Sequence, residues 1–347
     1  MADLTHNIYW NAANADLPLY RLLSEIFRHN LQRNTLIVVF SDHGIRFGSI
    51  RQTRSGQIEE RMPFIYLYVP DELNLMNDND NHQNNQAEQL RRILRHNSHR
   101  LTCHFDLHAT LKHIIDGKAP GPKALNVNDG EPYGRSLFTI IPANRTCEQA
   151  GISENWCLCS QYGSYGNDNN LELSKIIVKR LLAEFIVWKI NRLLLNTNDD
   201  LDDLHRSSNS LSAKCAPLVL DRLEHLAIRT EPKPEDDNDV FTIQIRTQPG
   251  GGLFDATVRL NVTAVGIAQQ LMIGDHKKNI NIINIIRSIL FQQTPKIIKL
   301  MGDISRLNKY GHQSDCIDEN DDDVDSIREK YCFCKVYINN LNKYNQY

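Results

Sequence analysis

The sequence lacks any apolar run long enough to cross a membrane, because no window of about 18 residues is uninterruptedly apolar. It also lacks an excess of one charge, since 39 basic residues face 42 acidic ones. Nothing in that balance indicates a nucleic-acid surface or a polybasic membrane patch. Residues 1 to 30 lack a basic-then-apolar secretory signal. We therefore expect no membrane span and no nucleic-acid partner, and either a cytosolic chain or one whose natural start lies upstream.

Cysteine, in contrast, is present in an even number, eight, in two similar clusters spaced C-x9-C-x-C and C-x15-C-x-C. The C-x-C spacing is tighter than the usual C-x2-C of zinc knuckles, so we predict disulfides rather than zinc. Disulfides predict an extracellular or secretory compartment. A cytosolic protein with free thiols is the weaker alternative. The disulfide candidates, with connectivity left open, are Cys103, Cys147, Cys157, Cys159, Cys215, Cys316, Cys332 and Cys334.

Two N-glycosylation triplets agree with a secretory route, although such triplets also arise by chance. They begin at Asn144 and Asn261. Both asparagines are candidate glycosylation sites.

The first half of the 347 residues has the pattern of an α/β domain. Apolar residues at helical spacing predict a helix over residues 16–31. The continuously apolar segments 35–40 and 64–69 predict parallel strands covered on both faces. We place this domain at residues 1–165 and expect a parallel sheet with flanking helices.

The second half changes in organisation, and we place a separate domain at residues 166–347. Residues 171–195 predict one long helix, and two alternating segments, 240–247 and 253–263, flank three consecutive glycines. With the second cysteine cluster, this pattern predicts a smaller α+β module stapled by disulfides.

Asp42 and His43 directly follow the first predicted strand. On the turn that leaves a strand, a carboxylate and an imidazole can converge on one ion, and Gly44 relieves the crowding. Zinc or manganese suits this mixed donor set better than calcium, which prefers oxygen ligands and is a further candidate. For the bare dipeptide, the alternative is an aspartate that caps a turn beside a packed histidine.

The longer stretch SDHGIRFGSIRQTRSGQIEERMPFIYLYVP, residues 41–70, resembles the metal-binding segment of the alkaline phosphatase and sulfatase superfamily. It is most similar to a sulfatase-like family of unknown function from secreted invertebrate proteins. The matching positions are Arg46, Gly48, Arg51, Thr53, Gly56, Glu59, Glu60, Arg61 and Pro63.

The resemblance continues through shorter blocks later in the chain. They are FDLHATL at 105–111, SLF at 136–138, RTC at 145–147, WCLC at 156–159, ISRLNKYG at 304–311 and YCFC at 331–334. Residues 160–300 match only loosely, so the resemblance implies an alkaline-phosphatase-like sheet for the first half of the chain alone.

The resemblance implies roles for individual residues. Asp42 and His43 would bind a divalent metal, and Arg46 and Arg51 would hold the oxygens of a phosphate or sulfate ester. His6 stands where relatives carry a histidine, and His108 lies on an apolar-faced helix. Each is a candidate metal ligand, with a surface residue (His6) or a buried structural histidine (His108) as the alternative.

A complete domain of this superfamily also needs an upstream strand with an acidic ligand and a nucleophile. Only about forty residues precede Asp42, too few for those strands. We therefore predict the C-terminal part of a secreted metal-dependent phosphate or sulfate ester hydrolase-like protein, inactive as written because its nucleophile lies outside the chain. The alternative is a non-catalytic extracellular binding or scaffolding protein of the same fold.

Overall fold

A computed structural model describes residues 13–46, 48–71, 83–116, 133–165, 173–195, 214–230, 238–261, 297–308, 311–317 and 330–338. The chain divides into two compact units, one of residues 1–46 and 50–159 and the other of residues 47–49 and 160–347. Each unit is described by itself. The domain limits of 1–165 and 166–347 stay a prediction.

The first unit combines helices with one small sheet. Its described elements are α1 (Asp16–Arg28), β1 (Ile37–Phe40), α2 (Arg54–Arg61), β2 (Ile65–Tyr68), α3 (Gln83–Asn97) and α4 (His104–Ile115). Short 3-10 turns lie at Leu31–Asn34, Ile50–Gln52 and Glu148–Ala150. The helix predicted over 16–31 and the two predicted strands are confirmed to within a few residues.

Strands β1 and β2 pair antiparallel, with Ile37 opposite Tyr68 and Phe40 opposite Ile65. The prediction that these two strands belong to a parallel sheet is therefore wrong for the described pair. A continuous apolar run was taken as a sign of burial on both faces. Neither strand contains a buried residue, so the apolar sequence did not correspond to burial on both faces, which is typical of parallel strands.

Helices α3 and α4 hold the segment 135–141 in place. Val69, Leu90 and Phe138 form the small buried apolar cluster of this unit. Beside it, the side-chain amide of Asn97 donates to the carbonyls of Leu137 and Thr139 at 2.9 and 2.7 Å. Buried polar contacts thus accompany the apolar packing of this unit.

A buried ion pair also connects α4 with a later loop. Asp106 is fully buried, and the Nη1 and Nη2 groups of Arg145 donate to its two carboxylate oxygens at 2.8 and 2.9 Å. The same carboxylate accepts from the backbone N–H groups of Cys103 and Arg135 at 2.9 and 2.8 Å. Arg145 also donates to the carbonyls of Leu101 and Tyr133. Three segments of chain, around residues 101–106, 133–135 and 145, thus meet at one bidentate pair.

The second unit is one helix packed on an antiparallel sheet. Its described elements are β3 (Tyr162–Ser164), α5 (Leu173–Leu195), β4 (Val219–Arg229), β5 (Asn238–Gln248), β6 (Leu253–Asn261), β7 (Ile298–Leu300) and β8 (Ser305–Arg306). The strand order is β3-β4-β5-β6-β7, and β8 also pairs with β6. No helix in the described part of the chain is long and apolar enough to cross a membrane.

The predicted hairpin around the three glycines is confirmed as β5 and β6. Gly250 and Gly251 have φ values of +85° and +64°, a region that favours glycine, so the tight turn depends on them. The core of the unit lies between α5 and the sheet, where Phe185, Phe241 and Val258 are each fully buried.

Two disulfides close this unit. Cys215 pairs with Cys332 and Cys316 pairs with Cys334, across 117 and 18 residues of sequence. Cys215, Cys332 and Cys334 belong to the buried core, so the bonds tie the start of the unit to its end within apolar packing. The expected disulfide-stapled α+β module is present.

The buried ion pair provides a stability prediction. Arg145→Met leaves the Asp106 carboxylate buried without its cation, so the free energy of unfolding should fall by about 3–5 kcal/mol. Arg92→Met is the control, because it removes only an exposed pair with Glu88 and should change stability by about 0.5 kcal/mol or less. Urea denaturation followed by circular dichroism measures both. Equal effects of the two substitutions would contradict the assigned role of Arg145.

The two disulfides of the second unit should differ in their contributions. A cross-link stabilises mainly by constraining the unfolded chain, and more so when the loop is longer. Replacing Cys215 and Cys332 by serine should therefore cost about 4–5 kcal/mol, whereas replacing Cys316 and Cys334 should cost about 3 kcal/mol. Denaturation of the two double variants without reductant tests the order, and a reversed order would refute this account.

Candidate functional site

Hydrogen bonds hold the loop Ser41-Asp42-His43-Gly44 in place where it leaves β1. Ser41 continues the pairing of the sheet, because its N–H donates to the Phe64 carbonyl and its Oγ accepts from the Phe64 N–H, both at 3.1 Å. The N–H of Gly44 then donates to the carbonyl of Glu60 at 3.2 Å. A Cβ on Gly44 would lie 2.3 Å from the carbonyl oxygen of Glu59, so only glycine lets the loop approach α2 this closely.

The side chains of Asp42 and His43 lie close to each other in this loop. Nε2 of His43 lies 3.5 Å from Oδ2 of Asp42. On the other side of the ring, Nδ1 lies 2.6 Å from the carbonyl oxygen of Gly44. A carbonyl only accepts, so Nδ1 carries a proton in this contact, and Nε2 is the ring nitrogen that faces the carboxylate.

The Asp42 carboxylate is held in its ionised form. The backbone N–H of His43 donates to Oδ1 at 2.8 Å, and this bond is the main cause that lowers the pKa of Asp42 below its ordinary value of 3.8. Burial opposes this effect and is the second-largest cause, whereas the nearby His43 ring and the Arg46 guanidinium lower the pKa by smaller amounts. The side chain is 83 % exposed, so the charge faces solvent.

Asp42 and His43 open into a cavity of about 650 Å³ that lies wholly within the first unit. One part of its wall is apolar, formed by Phe40, Met62, Phe64, Phe105, Trp156 and Leu158. The other part is polar and mainly basic, and besides Asp42 and His43 it includes Arg46, Arg61, Arg100 and His104. Such a cavity suits a ligand with an anionic group and an apolar group.

Only some of the predicted site residues line the cavity. Arg46 is exposed and lines the cavity with Asp42 and His43. Arg51 is fully buried in an ion pair with Glu60 and is not among the cavity-lining residues, so the contact predicted for it with a substrate anion finds no support in its position. His108 is exposed on α4, away from the cavity wall, and His6 lies outside the described residues.

Three basic residues of the cavity were not predicted. Nε2 of His104, at the start of α4, donates to the Ser41 carbonyl at 2.9 Å, directly beside Asp42. The guanidinium of Arg61 lies over the Trp156 ring, 5.8 Å from its centroid, and Arg100 completes the group. Arg61 is one of the matching positions of the stretch 41–70, but no ligand contact was predicted for it. No local pattern connects His104 or Arg100 with the Asp-His pair.

Of the eight candidate cysteines, six are paired and two are not. Cys147 bonds to Cys157 in the first unit, in addition to the two disulfides of the second unit. Cys103 and Cys159 carry free thiols. Of the glycosylation candidates, Asn144 is exposed, whereas Asn261 is partly buried at the end of β6, and residues 262 and 263 of its triplet lie outside the described residues.

Comparison with known proteins gives one match. A family model described as "Protein of unknown function (DUF229)" matches residues 1–224, which include the whole cavity. No curated protein and no solved structure matches the chain.

The lowered pKa of Asp42 can be tested directly. Its side-chain carboxyl should titrate below the ordinary value of 3.8, and Arg46→Met should move the midpoint upward because a favourable cation is removed. Since the folded-state pKa is the lower one, the carboxylate is mostly ionised above the ordinary value of 3.8, and this ionisation is lost as the pH falls through the folded value. Carbon-detected NMR titration measures the midpoint, with Arg92→Met as the control. An unshifted Asp42, or an equal effect of Arg92→Met, would contradict the electrostatics described.

Proposed function

The chain belongs to DUF229, a family of unknown function, and we propose that it is a hydrolase-like protein that binds phosphate or sulfate esters with a divalent cation held by Asp42 and His43. The relationship to the sulfatase and alkaline phosphatase superfamily is part of this proposal. It is supported by the motif-like stretch over residues 41–70 and by the cavity, not by the antiparallel β1–β2 pair.

The geometry of the Asp-His pair carries the proposal. Two ligand atoms of a four-coordinate zinc ion, each about 2.1 Å from the metal, lie about 3.4 Å apart. Nε2 of His43 and Oδ2 of Asp42 are separated by 3.5 Å. Histidines that bind metals usually donate their other ring N–H to a carbonyl or carboxylate, as Nδ1 of His43 does to Gly44. The donor atoms therefore fit a cation between them.

The chemistry of the donors restricts the cation. One carboxylate oxygen and one imidazole nitrogen favour zinc or manganese, whereas calcium takes mainly oxygen ligands. His104, the additional imidazole of the cavity, is kept near the pair by its bond to the Ser41 carbonyl. The proposed site is thus a borderline-metal site rather than a calcium site.

The basic wall supports an anionic ligand. Arg46 is exposed beside Asp42, and guanidinium groups bind phosphate or sulfate oxygens through charge-assisted hydrogen bonds. A divalent cation supplies a Lewis acid that neutralises negative charge on the ester and lowers the pKa of an attacking group. The chain's own residues orient the anion and place its organic group against the apolar wall around Phe64.

No nucleophile is assigned to this chain. The hydroxyl nearest the motif, Ser41 Oγ, accepts a hydrogen bond from the Phe64 N–H and belongs to the strand end. That engagement favours the second candidate, a non-catalytic extracellular binding protein of the same fold. The disulfides support an extracellular location for either candidate.

Calorimetric titration with zinc or manganese chloride tests the metal site. The wild-type chain should bind one ion, and Asp42→Asn and His43→Ala should each weaken binding by at least about tenfold, because even residues that only support a metal ligand have effects of this size. Asp71→Asn is the matched control, since Asp71 is an exposed carboxylate of the same unit, paired with Arg91 and outside the cavity. Equal affinities of all four proteins would refute the proposal.

Hydrolysis assays separate the two candidates. The metal-loaded chain is mixed with aryl phosphate and aryl sulfate esters, and turnover that Asp42→Asn abolishes would support a hydrolase. Metal binding and Arg46-dependent binding of inorganic phosphate or sulfate, without turnover, would support the binding protein.

A further inference from the structure

The first unit contains a free thiol next to a disulfide. Cys147 and Cys157 are bonded, and the sulfur of Cys159 lies within 4.8 Å of both of their sulfurs. Cys159 is exposed, whereas Cys147 and Cys157 are buried. Three sulfurs therefore share one small volume with only one bond among them.

The backbone around these sulfurs is held by contacts other than the disulfide. A 3-10 turn follows Cys147, and the N–H of Ile152 donates to the Cys147 carbonyl at 2.8 Å. On the other side, the N–H of Cys157 donates to the Ser153 carbonyl at 3.1 Å. Backbone hydrogen bonds as well as the disulfide thus hold Cys147 and Cys157 in this turn.

From this arrangement we propose that Cys147, Cys157 and Cys159 form a thiol–disulfide exchange site, in which the disulfide alternates between Cys147–Cys157 and Cys147–Cys159. The thiolate of Cys159 attacks Sγ of Cys147, a sulfur–sulfur bond forms between them, and the bond to Cys157 breaks. Cys157 leaves as a thiolate and takes up the proton that Cys159 lost. One bond replaces another, so the exchange needs no oxidant or reductant.

Access favours attack at Cys147. Cys147 and Cys159 both line the cavity that contains Asp42 and His43, whereas Cys157 is not among the lining residues. The exchange therefore occurs in the cavity wall, beside Trp156 and Leu158. The proposal does not depend on the ester-binding function, because it rests on the sulfur positions alone.

The other free cysteine is a poor attacker. Burial, and then the negative charge of Asp106, raise the pKa of the Cys103 thiol, and only a thiolate attacks a disulfide. The Cys103 thiol is also 3.2 Å from the Ala150 carbonyl, to which it donates. Cys103 is therefore a control cysteine in the same cavity.

The second cysteine cluster has the same sulfur spacing without a free thiol. Cys316, Cys332 and Cys334 lie within 4.8 Å of one another, but each is bonded in the Cys215–Cys332 or Cys316–Cys334 disulfide. The three sulfurs lie close together in both clusters, but only the first cluster contains a free thiol that can attack a disulfide. The second cluster is therefore an internal control for the measurement.

Alkylation of the native, unreduced full chain with N-ethylmaleimide, followed by acidic peptic digestion and mass spectrometry, tests the exchange. The wild type should contain both the Cys147–Cys157 and the Cys147–Cys159 linkage, with label on Cys159 in the first form and on Cys157 in the second. Fragmentation on either side of Leu158 assigns the label. Cys332 and Cys334 should remain unlabelled.

Two variants complete the test. Cys159→Ser should eliminate all label on Cys157 and leave the single Cys147–Cys157 linkage, whereas Cys103→Ser should retain both linkages. If a variant fails to fold, the wild-type digest alone tests the proposal. Label confined to Cys103 and Cys159, or a Cys103–Cys159 disulfide, would overturn the proposal.

Discussion

The bidentate pair between Asp106 and Arg145 is the contact on which the cavity depends most. Asp106 fixes the start of α4 through the N–H of Cys103. Arg145 donates to the carbonyls of Leu101, just before α4, and of Tyr133. Residues 101–105 and 147–159 supply much of the cavity wall. Since a buried ion pair is favourable only when its remaining donors and acceptors are also satisfied, these backbone bonds and the pair stabilise one another.

A second buried pair performs a similar task for the loop after β1. Arg51 and Glu60 are almost completely inaccessible to solvent, and the carbonyl of Glu60 accepts from the N–H of Gly44. Helix α2 therefore positions the loop that carries Asp42 and His43. Arg51 and Glu60 thus contribute to the position of this loop, which shows that matching residues of the 41–70 stretch can have a structural role.

The sequence was sufficient to predict elements that depend on local patterns. The helix at 16–28, the strands around 37–40 and 65–68, and the glycine hairpin between β5 and β6 all follow from periodicity and turn chemistry. Strand direction was not predictable in this way, because an apolar run does not encode which neighbour it pairs with. The same limitation applies to Arg51, whose burial depends on Glu60, and to His104, which reaches the site only through the packing of α4 beside Ser41. It applies as well to Cys103 and Cys159, since an even count of cysteines does not determine their pairing.

The sheet that presents Asp42 has little intrinsic stability. Two-stranded sheets are marginal unless other elements cover them, and in the described residues β1 and β2 form such a sheet, with Phe40 and Tyr66 53 % and 68 % exposed. Contacts that stabilise it include the edge-to-face packing of Phe27 on Tyr68, with ring centroids 5.2 Å apart, and the hydrogen bonds between Ser41 and Phe64. A cation between Asp42 and His43 would bind only the folded loop, so its binding free energy would add to the stability of β1. The proposed metal site and the strand that carries it would thus be one thermodynamic unit, in which the loss of either weakens the other.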